Sequence, residues 1–151
     1  MRIYLDNCSY NRPYDDQSQM RVYLETQAKL HIQELIREGK LELVTSYVLD
    51  YENQANRSVQ KKKAIAAFMQ EYASFYVSTR NEETIAAYAA EIMETGVKEK
   101  DAYHVACARL AGCRYFITTD DRLLKYSSEQ IALLTPGEFI RRMEAEDDQH
   151  S

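Results

Sequence analysis

The segment from residue 98 to residue 123 is the part of the sequence that most constrains the fold. It begins with a helical pattern, and Gly112 stands where that helix is expected to end. One face of the helix comprises Ala102, Val105, Ala106, Arg109 and Leu110. Residues 115–118 then form a short uncharged run of β-prone side chains, which is typical of a strand buried on both faces. A helix followed at once by a buried strand indicates an α/β protein.

Acidic residues stand at both ends of this helix–strand unit. Asp101 lies in the first turn of the helix, where backbone N–H groups and the helix dipole favour a carboxylate. Asp120 and Asp121 directly follow the strand region. If the helix and the strand pack side by side, Asp101 and Asp120 approach each other. Because two carboxylates held close together repel unless a cation lies between them, the unit predicts a cation site that other parts of the chain complete.

The rest of the sequence alternates between helical and strand patterns, without an internal repeat or a domain linker. Strands are predicted at residues 2–5, 41–45 and 131–134, and residues 73–78 form either a strand or a connector. Helical patterns are predicted at residues 18–38, after Ser46, at 59–72, after Asn81, at 122–126, and from Pro136 to about residue 143. Residues 7–17 are expected to be a polar loop. This alternation predicts an α/β layer architecture with a parallel sheet.

Charge and composition limit the classes of partner. The 151 residues suffice for one domain, which is expected to cover residues 1–143. Residues 144–151 hold four acids and are expected to form a disordered tail, and the rest of the chain has 19 basic and 20 acidic residues. A general basic footprint for nucleic acid is therefore absent, so any such binding must be local. Three cysteines without a CxxC pair, no signal peptide and no membrane-length apolar run predict a cytoplasmic protein without a membrane partner.

Four acids are expected at one edge of the sheet, because ligands of open α/β sheets bind beyond the carboxyl ends of the strands. Asp6 follows the first strand, Glu52 lies on the helix after the second, Asp120 follows a later strand, and Asp101 begins a helix. Carboxylate oxygens suit Mg²⁺ or Mn²⁺ better than zinc, and such an ion lowers the pKa of a bound water. A purely structural interpretation stays open, because turns and helix caps also favour Asp.

The sequence around these acids resembles the PIN-domain nucleases, especially the VapC-type toxin ribonucleases. Residues 3–6 (IYLD) resemble the family's opening strand and first acid, and residues 46–52 (SYVLDYE) resemble its serine-started helix with a glutamate six positions later. Residues 101–108 (DAYHVACA) are similar to its third acid and small-residue helix, and residues 116–123 (FITTDDRL) to its strand, T-x-D and following helix. The four motifs occur in the family's order and cover most of the chain. Cys8 departs from the pattern, because the family often has a polar Asn or Ser at that position.

This resemblance implies a PIN-like three-layer α/β fold, in which helices flank a short, mainly parallel sheet. It also implies Mg²⁺- or Mn²⁺-dependent cleavage of RNA by an endoribonuclease. Asp6, Glu52, Asp101 and Asp120 would hold one or two ions directly or through water, and Thr118 would orient an acid or a water. The partners implied by the resemblance are an RNA substrate, a second copy of the chain in a homodimer, and a small cognate antitoxin.

Several residues near the motifs have two interpretations. Asp121 is the alternative to Asp120, although the spacing of the motif favours Asp120. His104 either contacts substrate or, as is more common, is partly buried and hydrogen-bonded. Cys8 fits a small packed residue better than a nucleophile, because no histidine is tied to it by sequence.

Basic and aromatic residues offer candidate contacts to RNA. Arg12, Arg57 and the lysine cluster, defined as Lys61 to Lys63, are the expected phosphate contacts, although a solvated helix face explains the lysines equally well. The 12 tyrosines have the rings to stack on bases, but most are expected to be half-buried structural residues.

Two other functions remain open from the sequence. A haloacid-dehalogenase-like phosphatase also begins with a strand that ends in Asp, but it needs a second Asp where Cys8 stands. A PIN-like module that binds RNA or protein without cleaving it is the stronger alternative. Metal-dependent cleavage of a generic RNA separates the nuclease from both.

Overall fold

The computed structural model describes residues 1–150 of the chain and the side chains of residues 1–147. In this part, five strands form one sheet: β1 (Arg2–Leu5), β2 (Glu42–Ser46), β3 (Ala73–Val77), β4 (Tyr115–Ile117) and β5 (Ala132–Leu134). Their order is β3-β2-β1-β4-β5, and every neighbouring pair is parallel. Because β1 lies at the centre, its carboxyl end adjoins those of β2 and β4. The predicted parallel α/β sheet is confirmed.

Helices cover both faces of this sheet. The described chain forms seven α-helices: α1 (Asn7–Asn11), α2 (Met20–Arg37), α3 (Tyr47–Gln54), α4 (Val59–Tyr72), α5 (Glu82–Met93), α6 (Glu99–Leu110) and α7 (Pro136–His150). Ile3, Tyr4 and Leu5 of β1 have no exposed surface, and consecutive strand residues point to opposite faces. Both faces must therefore be covered, which gives the predicted three layers. Among residues 1–150, no helix has the length and apolar character needed to cross a lipid bilayer.

Glycines and a serine cap set the boundaries of the elements that lead to the site. Gly39 and Gly112 adopt φ angles of 76° and 71°, which side chains disfavour, directly after α2 and α6. Ser46 ends β2 and caps α3, because its Oγ accepts the backbone N–H of Leu49 at 3.2 Å. The sequence predicted these helix ends and this cap, and it also predicted α4 with the bounds that the structure shows.

The polar loop predicted for residues 7–17 is wrong over residues 7–14. The chain forms α1 at once after β1 and then a 3-10 turn at Arg12–Tyr14. Asp6 makes this possible, since its Oδ1 accepts the backbone N–H of Ser9 at 3.1 Å and caps α1. Pro13 lies in the first turn of the 3-10 segment, where its missing N–H costs no hydrogen bond. The capping role of Asp6 outweighs the turn signal that the sequence suggested.

The last helix is longer than predicted. The expected end was about Met143, followed by a disordered tail at residues 144–151, but α7 continues to His150. Glu146 accepts hydrogen bonds from Arg114 at 3.3 Å and from the hydroxyl of Tyr115 at 3.4 Å, and Glu is a good helix former. Ser151 lies outside the described residues. The domain boundary at residue 143 stays a prediction, because helical structure alone does not show which residues the domain needs.

Candidate active site

Five acidic side chains line one cavity at the edge where the central strands end, and four of them are acids that the sequence predicted. Asp6 directly follows β1, Glu52 lies on α3, Asp101 is in the first turn of α6, and Asp120 follows β4. The cavity has a volume of about 410 Å³, and its remaining lining residues are Asn7, Cys8, Asn11, Asp15 and His104. The structure thus brings together the four acids that the sequence predicted. They come from four separate elements, and the parallel sheet is what places those elements at one edge.

Asp6 is almost fully buried and is held by donors from its own helix. Its Oδ1 accepts the backbone N–H of Ser9 at 3.1 Å and the thiol of Cys8 at 2.9 Å. Burial raises the pKa of Asp6, and hydrogen bonds from Cys8, Thr118 and Ser9 partly offset that rise. Ionised Asp6 therefore costs folding free energy in the protein alone, and a neighbouring cation would favour the ionised form.

Asp101 experiences the charges of the other acids most directly. Burial raises the pKa of Asp101, and the negative charges of Asp120, Asp6 and Glu52 raise it further. The side chain makes no hydrogen bond to any other described residue. Asp101 is consequently the acid on which the mutual repulsion of the group is most evident.

Glu52 is the outer end of a hydrogen-bonded chain that reaches into the core. Its Oε1 contacts Nε2 of His104. Nδ1 of His104 lies 2.6 Å from the hydroxyl of Tyr4, which lies 2.7 Å from Oγ of Ser46. His104 is 2% exposed, so the structure agrees with the interpretation of a buried, hydrogen-bonded histidine.

The two consecutive acids after β4 have different surroundings. Asp120 lines the cavity, and its Oδ1 accepts the backbone N–H groups of Arg122 at 2.9 Å and Leu123 at 3.3 Å. Asp121 instead forms two hydrogen bonds with the guanidinium of Arg21, at 2.7 and 2.9 Å, and these bonds lower the pKa of Asp121. Asp121 does not line the acidic cavity.

Cys8 and Thr118 connect the first acid to the last. The thiol of Cys8 donates to Asp6, accepts the backbone N–H of Thr119 at 3.4 Å, and lies 3.5 Å from Oγ1 of Thr118. Burial raises the pKa of the Cys8 thiol to about 12, with further increases from the charge of Asp6 and the hydrogen bond to it. A thiol that stays protonated acts as a donor to Asp6 rather than as a nucleophile. Oγ1 of Thr118 accepts the backbone N–H of Asp120 at 3.0 Å.

A comparison with protein families identifies the family of this chain. The model of the PIN domain matches residues 12–129, which is most of the chain. The chain belongs to the PIN domain family. PIN domains are typically nucleases. The matched part of this PIN domain contains Glu52, Asp101 and Asp120, whereas Asp6 lies before its first residue.

Solved structures share the fold of this PIN domain. VapBC2 from Rickettsia felis, bound to a DNA fragment from its promoter, is 10% identical with a TM-score of 0.54, and the alignment covers 88% of this chain and 97% of that chain. FitAcB from Neisseria gonorrhoeae is 20% identical with a TM-score of 0.57, covering 89% and 97%. FitAB bound to an IR36 DNA fragment is 19% identical with a TM-score of 0.56, covering 89% and 95%. No curated protein sequence matches the chain.

The carboxylate oxygens of the acids in this PIN domain are suitable ligands for a divalent cation, but the side chains are not close enough together to surround one. PIN-domain nucleases generally use divalent metals, and carboxylate oxygens are suitable ligands for Mg²⁺ and Mn²⁺. Among the described side chains, no group of three or more His, Cys, Asp or Glu residues stands close enough to hold an ion. Asp6, Glu52 and Asp120 are instead engaged by donors of the protein itself. These hydrogen bonds engage one oxygen of each carboxylate and leave the other for a ligand, and water molecules would complete the coordination of an ion.

The basic residues expected to contact phosphate lie elsewhere on the PIN domain. Neither Arg12, Arg57 nor the lysine cluster lines the acidic cavity. Arg12 forms ion pairs with Glu25 at 2.7 Å and Asp15 at 3.2 Å. These contacts leave its guanidinium less available to a ligand, and the phosphate role of all five residues stays a prediction.

Sequence reasoning missed three other cations beside the acids. A second cavity of about 480 Å³ shares Asp101 and Asp120 with the acidic cavity and is also lined by Lys98, Arg122 and Lys125. We call these three cations the basic cleft. All three are exposed, and none forms an ion pair with another residue in the described part of the chain. Their position in the sequence was the available signal, since each of them stands within a few residues of Asp101 or Asp120.

Proposed function

We propose that this protein is a metal-dependent endoribonuclease that hydrolyses RNA phosphodiester bonds. The observation that carries the proposal is the convergence of Asp6, Glu52, Asp101 and Asp120 on one cavity of a PIN domain. These four acids would hold Mg²⁺ or Mn²⁺, which when bound lowers the pKa of a water molecule and stabilises charge on the phosphoryl oxygens. The pKa of Asp101, raised in part by the charges of its neighbours, supports a cation at this place.

The protein's own residues would orient the acids. Asp6 and Asp120 are fixed by backbone N–H groups at the starts of α1 and the 3-10 turn Leu123–Lys125. Thr118 is fully buried and binds the N–H of Asp120, which supports its proposed role in orienting that acid. Cys8 occupies the expected polar position and still donates a hydrogen bond to Asp6. A cysteine at position 8, where the family often has Asn or Ser, is therefore compatible with nuclease activity.

The basic cleft gives the polyanionic substrate a route to acids that would otherwise repel it. Lys98, Arg122 and Lys125 line the cavity on one side of Asp101 and Asp120. The cavity that adjoins Glu52 carries Glu82, Glu99 and one cation, Lys100, as well as several aromatic residues, so its acids outnumber its cations. Phosphates attract cations and repel carboxylates, so the RNA backbone is expected to approach over the basic cleft. This local charge pattern supports an RNA substrate for a domain that is nearly neutral as a whole.

A catalytically inactive PIN-like module that binds RNA or protein is the second candidate function. The observation in its favour is that no three acids stand close enough together to hold an ion in the described structure. Cleavage by purified protein distinguishes the two candidates. A haloacid-dehalogenase-like phosphatase is disfavoured, because Cys8, with its protonated thiol, stands where that class needs a second Asp.

The fold that this PIN domain shares with toxin–antitoxin complexes supports a proposal about its partners. The VapBC2 and FitAB structures are complexes of that class bound to DNA. We extend this to the present chain as the proposal that it is the cytoplasmic toxin of such a pair, forms a homodimer, and is silenced by a small cognate antitoxin. Growth arrest on expression, relieved by co-expressing the protein encoded beside it, tests the antitoxin. Light scattering on the purified protein tests the dimer.

The central test is cleavage of a labelled generic RNA by purified protein. We expect cleavage with Mg²⁺ or Mn²⁺ and none with EDTA. Asp6→Asn and Asp101→Asn should each abolish cleavage while leaving the fold intact, because each keeps the shape of the side chain and removes one charge from the cavity. Asp121→Asn is the matched control, since Asp121 is adjacent to Asp120 but pairs with Arg21 outside the cavity. It should retain cleavage.

Two results would contradict the proposal. Retained cleavage in both Asp6→Asn and Asp101→Asn would remove these acids from the reaction. RNA binding without cleavage, at every Mg²⁺ and Mn²⁺ concentration tested, would favour the inactive binding module.

A further inference from the structure

We infer that His104 is a positioning residue for Glu52, and that Tyr4 and Ser46 hold His104 in the orientation this requires. The inference rests on the proposed function, because it concerns an acid of the same cavity. It goes further by giving a role to three buried residues that touch neither the substrate nor an ion. Together with Glu52 they form the relay chain, defined as Ser46, Tyr4, His104 and Glu52.

The hydrogen bonds of the relay chain can be given one direction. The backbone N–H of Leu49 donates to Oγ of Ser46 at 3.2 Å, which leaves the Ser46 hydroxyl free to donate to the oxygen of Tyr4 at 2.7 Å. The Tyr4 hydroxyl then donates to Nδ1 of His104 at 2.6 Å. With Nδ1 as acceptor, a neutral imidazole carries its proton on Nε2 and donates it to Oε1 of Glu52. Every hydroxyl group and ring nitrogen of the relay chain then has a hydrogen-bond partner.

The relay chain is fixed at its inner end by the core. Tyr4 lies on the central strand β1, has no exposed surface, and stacks on Phe116 with ring centroids 5.2 Å apart. Ser46 is also fully buried and is held in place as the cap of α3. His104 packs edge-on against Tyr4, with ring centroids 5.7 Å apart. The imidazole is therefore held by packing as well as by hydrogen bonds, and its Nε2 has a defined direction toward the cavity.

Glu52 needs such a partner more than Asp6 or Asp120 does. Backbone N–H groups fix the carboxylates of Asp6 and Asp120, whereas the described hydrogen bonds of the Glu52 side chain go to His104 alone. Glutamate also has one more rotatable side-chain bond than aspartate, so ordering it costs more conformational entropy. Because His104 engages Oε1, the other oxygen of Glu52 is the one left for a cation. Hydrogen bonds of this kind to a ligating carboxylate typically change metal affinity by about 10- to 100-fold.

The competing explanation is that His104 merely fills space under α3. Two substitutions separate the explanations. His104→Leu places an apolar side chain at the buried position and removes both hydrogen bonds. His104→Gln retains an amide donor for Glu52 and an amide acceptor for Tyr4. We expect His104→Leu to weaken Mn²⁺ binding by about tenfold or more, and His104→Gln to recover most of that loss. Electron paramagnetic resonance of free Mn²⁺ gives the Kd without requiring cleavage.

A double-mutant cycle with Glu52→Gln links the effect to the proposed partner. In the Glu52→Gln background, His104→Leu should change the Mn²⁺ Kd by less than about twofold, because the carboxylate that His104 orients is already gone. The melting temperature of each metal-free variant is recorded alongside to show that the variant folds, because loss of the buried bond between Tyr4 and His104 lowers stability under either explanation. If His104→Leu does not fold, Tyr4→Phe takes its place, since it removes one oxygen atom and should weaken Mn²⁺ binding in the same direction.

The outcomes distinguish this inference from the proposed function. Wild-type protein that binds Mn²⁺, with a His104→Leu variant that binds it equally well, overturns the inference and leaves the nuclease proposal standing. An equal loss of affinity in both backgrounds also overturns it, because the effect would not pass through Glu52. Wild-type protein that binds neither Mn²⁺ nor Mg²⁺ overturns the metal-dependent function itself.

Discussion

Replacing the three cations of the basic cleft by alanine should weaken RNA binding and flatten its salt dependence. Lys98, Arg122 and Lys125 are exposed and without an ion-pair partner among the described residues, so each has a charge available to a phosphate. For single-stranded nucleic acid, each phosphate contact contributes about 0.7 to the slope of log affinity against log salt. Losing three contacts should therefore lower the magnitude of the slope by about 2. Over a fourfold rise in salt concentration, the RNA affinity of the parent protein, which keeps these three cations, should fall roughly 20-fold more than that of the variant.

The assay is fluorescence anisotropy of a labelled single-stranded RNA at several salt concentrations. Asp101→Asn is present in every protein compared, so that the RNA stays intact during the measurement. The matched control replaces the lysine cluster, Lys61 to Lys63, by alanine. It removes the same charge from a surface that lines neither the acidic cavity nor the cavity of the basic cleft. If the RNA backbone follows the basic cleft and not the lysine cluster, the control keeps a slope close to that of the parent protein.

Comparing the two triple variants shows which of the two surfaces the RNA contacts. If the basic-cleft variant keeps the parent slope and the lysine-cluster variant loses it, the RNA crosses α4, as the sequence first suggested. If both variants lose slope equally, the two surfaces contribute equally and the basic cleft has no special role.

Three further outcomes follow from buried and terminal groups. Burial raises the pKa of Asp6 in the folded protein, so metal-free stability should decline as pH rises from the unfolded pKa through the folded one, and Asp6→Asn should remove part of this decline in urea titrations. The Tyr10 hydroxyl is buried and without a partner among the described residues, so Tyr10→Phe should leave the free energy of unfolding unchanged or raise it by about 1 kcal/mol. The Tyr4 hydroxyl is hydrogen-bonded, so Tyr4→Phe should lower that free energy by about 1–3 kcal/mol. A clear loss of stability in Tyr10→Phe would contradict this reasoning. Deleting residues 144–151 removes the exposed contacts of Glu146 and should cost under about 1 kcal/mol, with slightly tighter RNA binding at low salt.

The sequence was sufficient for the parts of the fold that local patterns determine. The acids after β1 and β4 could be assigned to one edge, because a run of buried β-prone residues that ends in Asp indicates both the strand and its carboxyl end. Ser46 could be predicted as a cap, because a serine at the start of an apolar helical pattern has a local function. The longest-range consequence, that Asp6 and Asp120 share a cavity, followed from the parallel order of the strands.

The relay chain and the region after Asp6 could not be predicted in the same way. Tyr4 and His104 are separated by 100 residues, and nothing local to either indicates the other as a partner. Residues 7–14 have turn-forming composition, yet they form α1 and a 3-10 turn because Asp6 supplies the cap. The contact between Tyr4 and His104 depends on the packed sheet, whereas the cap from Asp6 to Ser9 is local and was missed because the turn-forming composition was given more weight.

The double engagement of Asp6 and Asp120 constrains how this chain can diverge. Each carboxylate lines the cavity and also caps the turn or helix that follows it, so its loss should affect folding as well as the proposed cleavage. Asp101 makes no such contact, and the described partner of Glu52 is a side chain. Descendants released from selection for cleavage should therefore lose the acids at positions 52 and 101 first. At positions 6 and 120 they should retain Asp, Asn or Ser, the residues that cap helices best, even where cleavage is not under selection.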